Sequence, residues 1–319
     1  MDIDVARLDA ADLRAVERAY EIGRESLAAD VPDLPPLSRP RFMGGVRMSW
    51  PGETTEYVVA TVGGAAAGLL TLFLPQLENT NNVRLQLAVH PAHRRRGVGR
   101  ALHSYAKGRA VELGRGRLMG VAVAQLPHGP ARSPAGAHFA AAVGGKPALT
   151  EVRRRLDLST VDFEWLDLLL GDAWTRAAGY TLVQWCGSAP EECVADVAYL
   201  DGRLVEDAPM GDLTIEPQKV DAARVRGVEA ALAAWTTLSM NQGLPWHAFQ
   251  QITIVDPAHR GHRLGTVVKI ENLRYALEHE PELRVIDTFN AATNDHMIAI
   301  NEAMGFRPVD AWENWQQEI

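Results

Sequence analysis

Cysteine is nearly absent: Cys186 and Cys193 are the only two in 319 residues. That excludes a disulfide framework, and two small thiols fit a reducing compartment. Long apolar runs are missing as well. No stretch approaches the ~20 residues that a membrane-spanning helix needs. The opening MDIDVARLDA is acidic, without the basic start and apolar run of a secretory signal, so the expected location is the cytoplasm. Positive charge is in the minority, 32 Lys and Arg against 40 Asp and Glu, for a net charge of −8. A protein that tracks nucleic acid needs a broad basic face, and this composition excludes one as a general partner. No metal site is expected.

What is present is an ordinary globular composition, 47% hydrophobic and 23% charged, with length enough for two domains of about 150 residues. Against the acidic balance, "HRRRGVGRAL" (His93 to Leu102) gathers basic side chains in front of two glycines spaced one residue apart. A glycine turn that opens a helix presents free N–H groups to a phosphate or pyrophosphate. The local charge therefore points to a small anionic ligand.

The chain also repeats itself. "LAVHPAHRRRGVGRAL" (Leu87 to Leu102) and "TIVDPAHRGHRLGTVV" (Thr253 to Val268) share Pro-Ala-His-Arg, and each runs from a short apolar strand through a basic turn into a helical pattern. Downstream, "AGAHFAAAVGGKP" (Ala135 to Pro147) and "HMIAINEAMGFRP" (His296 to Pro308) each read as a helix stopped by glycine and then proline. Two similar elements in the same order indicate a duplicated domain. The first copy reads as a helical start (Ala10 to Ala28), strands at Glu56 to Val62, Ala67 to Leu74 and Val83 to Val89, the basic turn, a helix to about Leu113, a strand at Arg117 to Gln125, a short helix, and a last strand near Leu149 to Leu158. Apolar residues at helical spacing (Phe163, Leu166, Leu169, Leu170, Trp174) make Thr160 to Ala178 a connecting helix. The second copy opens at about Gly179 with a strand "YTLVQW" and a helix over Ala222 to Ala234; the segment that follows holds two strands at most. The expected fold class is α/β, a mixed sheet with helices on its faces. Its expected divisions are 1–158, a connecting helix 159–178, and 179–319.

Strand, Arg-x-x-Gly-x-Gly, helix resembles the acyl-CoA signature of the GCN5-related N-acetyltransferase (GNAT) superfamily, carried here by Arg94, Gly97 and Gly99. The Val-x-Pro at each strand end (Val89, Pro91; Val255, Pro257) and "NDHMIAINEAMGF" are similar to the family's strand end and later helix. The whole chain resembles the tandem, bis-GNAT form of actinobacterial type. That resemblance implies two tandem GNAT-like acyl-CoA N-acyltransferase domains, with acetyl-CoA as co-substrate and a small-molecule amine as acceptor. It implies CoA contacts at Leu87, Ala88, Val89, Arg94, Arg95, Arg96, Gly97, Val98, Gly99 and Arg100 in the first copy. In the second it implies them at Ile254, Val255, Arg260, Gly261, His262, Arg263, Leu264, Gly265, Thr266, Asn290 and Asn294. Arg263 stands where the first copy has Gly97, and Gly261 reads as out of register, so CoA is expected to prefer the first copy.

The catalytic groups depart from the family. Its members often carry a glutamate on the central strand and a tyrosine on the later helix. Here the first position falls near Val83 or Phe249 and the second on Ala140 or Asn301. His247 is the titratable candidate for the base and Asn301 the residue at the acid position; His138 is a further histidine on the later helix. The acidic loops carrying Asp30, Asp33, Glu206, Asp207 and Asp212 would suit a cationic amine. Two functions stay open: an N-acetyltransferase working by direct attack, and a non-catalytic acyl-CoA-binding or scaffold protein.

Overall fold

The structure, a computed structural model, describes residues 2–217, 233–241 and 243–319. Two compact units form, one from Met1–Thr150, Gly211–Thr214 and Asp310–Ile319, the other from Glu151–Met210 and Ile215–Val309.

In the first unit, β1 (Ile3–Arg7), β2 (Glu53–Val62), β3 (Ala65–Pro75), β4 (Asn82–Val89), β5 (Arg117–Gln125) and β10 (Arg307–Glu318) lie in the order β1-β2-β3-β4-β5-β10. Only β4 and β5 run parallel; the other neighbours are antiparallel. Alternation along β3 decides what packs where. Leu70 and Leu72 enter one cluster with Leu102 and Ala106 of α3 (Val98–Glu112), while Leu69 enters another with Val16, Ala19 and Ile22 of α1 (Leu13–Asp30) and Phe42 of α2 (Arg39–Arg47). Helix α4 (Ala135–Ala142) packs beside β5.

In the second unit, β6 (Lys146–Asp157), β9 (Val285–Ala291), β8 (Leu244–Val255) and β7 (Ala234–Asn241) follow in that order. Here β8 and β9 are the parallel pair. Helices α5 (Phe163–Arg176), α7 (Leu264–His279) and α8 (Asp295–Ala303) accompany them, with α6 (Val194–Asp207) against β8. Leu166 and Leu170 of α5 pack with Ile270 and Leu273 of α7, so the expected connecting helix buries its apolar stripe in the second unit.

The mixed sheets and their helices agree with the expected fold class. Several local expectations need correction. The chain starts with β1, and the first helix runs to Asp30, started by the Asp12 carboxylate accepting from Arg14 and Ala15 N–H. "YTLVQW" forms no strand: residues 180–185 have no sheet partner. The helix expected over Ala222 to Ala234 lies outside the described residues but for its end, and Ala234 opens β7. The two strands that the following segment allows are present as β7 and β8.

Candidate functional site

Both parallel pairs come apart. β4 pairs with β5 only from Asn82 to Arg84, although both strands continue, and β8 pairs with β9 only from His247 to Gln250. β3 holds β4 through Val89. His90 N–H donates to Ala67 O (3.0 Å), and antiparallel alternation then turns the N–H groups of Leu87 and Val89 the other way, toward the gap that β5 has left. Asp256 N–H donates in the same way to Ala233 O (2.9 Å), which turns Thr253 and Val255 toward the second gap. One difference is built into the strands. β8 carries an extra residue against β7 between Gln250 and Thr253, a bulge at its gap, whereas β4 keeps register with β3 throughout.

The turns after the two strands share one backbone. Arg95 and Gly97 have φ of 62° and 88°; Gly261 and Arg263 have 89° and 58°. Each turn thus needs two left-handed residues and fills one with glycine and the other with arginine, at a cost of about 1 kcal/mol for each non-glycine. Gly261 is therefore aligned with Arg95 and not with Gly97, in agreement with its reading as out of register with the first copy's glycines. Among the described residues, the N–H groups of Arg95 to Arg100 donate to nothing in the chain, and neither do those of Gly261 to Gly265. Thr266 N–H is already used by Arg263 O (3.0 Å). Exposed N–H groups at a helix start with no side-chain cap form an anion cradle.

Charge is divided unequally around the cradle. Arg94, expected to touch CoA, points its guanidinium at Asp30 (2.7 Å), Ser26 (3.1 Å) and the Val89 carbonyl (3.1 Å). Arg260 does the same with Asp207 (3.1 Å) and the Val255 carbonyl (3.4 Å). These arginines tie the end of α1 or α6 to the strand end, so their role is to shape the turn. Arg95, Arg96 and Arg100 are exposed and have no ion-pair partner among the described residues. In the second turn Arg263 is the corresponding exposed cation, and the His262 ring faces Arg176 O (3.1 Å).

The first gap opens onto a cavity of about 130 Å³ lined by Leu85 and Leu87 of β4, Gly120 and Ala122 of β5, Phe139 and Ala140 of α4, and His103 of α3. That volume suits a small organic group rather than a single water. Gly99 faces Phe139, where an added Cβ would stand 3.4 Å from the ring. The second unit differs at the corresponding helix position. Lys269 follows the first residue of its helix by the same interval as His103, is fully buried, sits 5.2 Å from the centre of the Phe306 ring, and has no hydrogen-bond partner for Nζ among the described residues. Burial brings its pKa down to about 7.

His247 and Asn301, the expected catalytic residues, are each held in hydrogen bonds within the second unit. His247 lies in the paired part of β8, buried, with Nε2 3.0 Å from Asp287. Asp287 also accepts from Arg153 (3.2 Å) and Arg155 (2.7 Å). Burial raises the Asp287 carboxyl, but the hydrogen bonds from Arg155 and His247 and the charges of both arginines outweigh it and hold the group at about 2. A histidine so committed is not placed as a base. Asn301 is buried and donates to Asn290 (2.6 Å), and Asn294 caps α8 by accepting from Met297 N–H (3.2 Å). All three organise the second unit's later helix. His138 is exposed on α4. The acidic loops are internally paired as well: Asp30 with Arg94, Asp33 with Arg132, and Asp207 with Arg203 and Arg260. The residue that sequence reasoning missed is His103, legible only as a histidine one turn and a half into the helix that the glycine turn opens.

Similarity to known proteins agrees with this geometry. An acetyltransferase (GNAT) domain family model matches residues 53–138. A tandem GNAT protein from the clavulanic acid biosynthesis pathway is 30% identical, with 99% of this chain and 98% of that one covered at a TM-score of 0.77. At 11% and 10% identity, the GCN5-related N-acetyltransferases of Sphaerobacter thermophilus and Kribbella flavida share the fold, with TM-scores of 0.59 and 0.52 over 99% of this chain and 95% and 71% of theirs. No curated protein matches the chain in sequence.

Proposed function

Because the chain belongs to the GCN5-related N-acetyltransferases in their tandem form, acyltransferases by class, we propose that it transfers the acetyl group of acetyl-CoA to a small-molecule amine in the cytoplasm, with the thioester held in the first unit. The observation that carries this reading is the first gap itself: free N–H groups and unpaired arginines at one end, and an open cavity beside diverging strands at the other.

The pyrophosphate of CoA fits the N–H groups of Arg95 to Arg100, where the dipole of α3 favours negative charge and the exposed arginines add charge-assisted contacts. The pantetheine arm then follows β4 toward the cavity. The N–H of Leu87 or Val89, freed by the divergence of β5, polarises the thioester carbonyl and stabilises the oxyanion as the amine attacks. Such a preorganised donor contributes about 3 kcal/mol to the barrier. The second unit has the same turn, but Lys269 occupies the place of the cavity-lining histidine, which favours the first as the transferring site.

A thiol-release assay with acetyl-CoA and a panel of primary amines tests the reading. Release that depends on one amine class supports it. CoA binding without release on any amine favours a non-catalytic acyl-CoA-binding or scaffold protein instead, a reading motivated by the missing strand glutamate and helix tyrosine.

A further inference from the structure

His103 carries a hydrogen-bond chain that fixes which of its nitrogens is open. Gln317 Nε2 donates to the Val143 carbonyl (2.6 Å), which can only accept, so the amide orientation is determined. Gln317 Oε1 therefore faces His103 Nε2 at 2.8 Å, and that nitrogen must hold the proton. Nδ1 is left as an acceptor with no partner among the described residues, on a ring that lines the cavity together with Leu87, Phe139 and Ala140. The position along the elements agrees: His103 lies about 7 Å along α3 from its start, and Leu87 about 7 Å back along β4 from the same end.

Resting on the acetyl-transfer reading, we propose that His103 is the catalytic proton shuttle of the first unit. As the amine nitrogen bonds to the thioester carbon, the nitrogen loses a proton to Nδ1. As the carbon–sulfur bond breaks, the protonated ring returns that proton to the departing sulfur, which leaves as the CoA thiol. One residue thereby does the work for which the strand offers no carboxylate and α4 offers only Ala140. Burial, the largest effect, pushes the ring's pKa below the usual histidine value, and nearby Lys107 and Arg100 push the same way while the bond to Gln317 opposes them. Both of these α3 cations lie outside the cavity lining, which holds no Asp, Glu, Lys or Arg among the described residues; β10 contributes Trp315, Gln316 and Gln317. The ring is thus neutral and ready to accept near pH 7.

The test compares wild type with His103→Ala, His103→Gln and Gln317→Leu, using acetyl-CoA and whichever primary amine wild type turns over. The expected result is a kcat loss of roughly 10²- to 10⁴-fold in both His103 variants, with CoA affinity and melting temperature near those of wild type and partial rescue by added imidazole. Wild type should lose activity as pH falls through the depressed pKa of His103, and both His103 variants should lack that limb. Gln317→Leu, which releases the tautomer, should shift the limb without abolishing turnover. A His103→Ala enzyme within about threefold of wild type overturns the shuttle and leaves acetyl transfer standing. A wild type that binds CoA yet acetylates no amine overturns both.

Discussion

Single residues decide how the buried charge of the second unit is tolerated. Arg153 and Asp287 are both fully buried, and Asp287 satisfies Arg153, Arg155 and His247 together. Removing one partner from such a cluster leaves charge buried without compensation and costs about 3 kcal/mol or more. Asp287→Asn should therefore lower the denaturant midpoint strongly. The pH dependence has a definite sign. The carboxyl titrates at about 2 in the folded protein, below its ordinary value, so its stabilising contribution is present above roughly pH 4 and is lost as pH falls toward 2. Wild type should lose stability across that window, and Asp287→Asn should lose less; equal slopes would contradict the account. No spacing rule in the sequence brings Arg153, Arg155, His247 and Asp287 together, because the cluster depends on β6 pairing with β9. The histidine was visible and its partners were not.

At the scale of elements, the basic run separates into two jobs that its composition conceals. Arg94 belongs to α1, through Asp30 and Ser26, whereas Arg96 faces solvent at the mouth of the cradle. Arg94→Ala should cost about 1–2 kcal/mol of unfolding free energy, a figure kept low because the pair is about one-third exposed. Arg96→Ala should leave stability unchanged while weakening CoA and reducing the salt dependence of its binding. The opposite assignment of effects in melting and titration experiments would return Arg94 to the ligand. The strand-turn-helix order and the glycine spacing were legible in the sequence because they are local. The left-handed conformation shared by Arg95 and Gly261 was not, since arginine carries no mark of the φ that its turn imposes. β1 and the absent "YTLVQW" strand show the same limit. Ile3–Arg7 is a strand because Val58–Val62 of β2 offers it an edge, and residues 180–185 have no such partner.

Across the whole molecule, compact packing does not follow chain order. The last strand of the chain, from Asp310, pairs with β5 in the first unit, and Glu151–Asp157, which ends the first sequence copy, pairs with β9 in the second. Duplication is readable from the doubled Pro-Ala-His-Arg elements, but an exchange of closing strands leaves no sequence signature, because a strand's partner is set by register and burial far from its own neighbours. The likeness of the two copies nevertheless ends on the helix after each turn: α3 carries His103 at the edge of a cavity, and α7 carries the buried Lys269 at the same interval from its start. Whether CoA is held in the first unit is decided by titrating CoA into the protein in a calorimeter. Wild type should bind one CoA per chain, Gly97→Val should weaken binding strongly because a β-branched side chain strains a turn held at φ 88° and crowds the phosphate approach, and Arg263→Ala should bind like wild type. Two equivalent sites per chain would give CoA to both units, and binding that survives in Gly97→Val and disappears in Arg263→Ala would place the working site in the second unit; either result overturns CoA binding in the first unit alone.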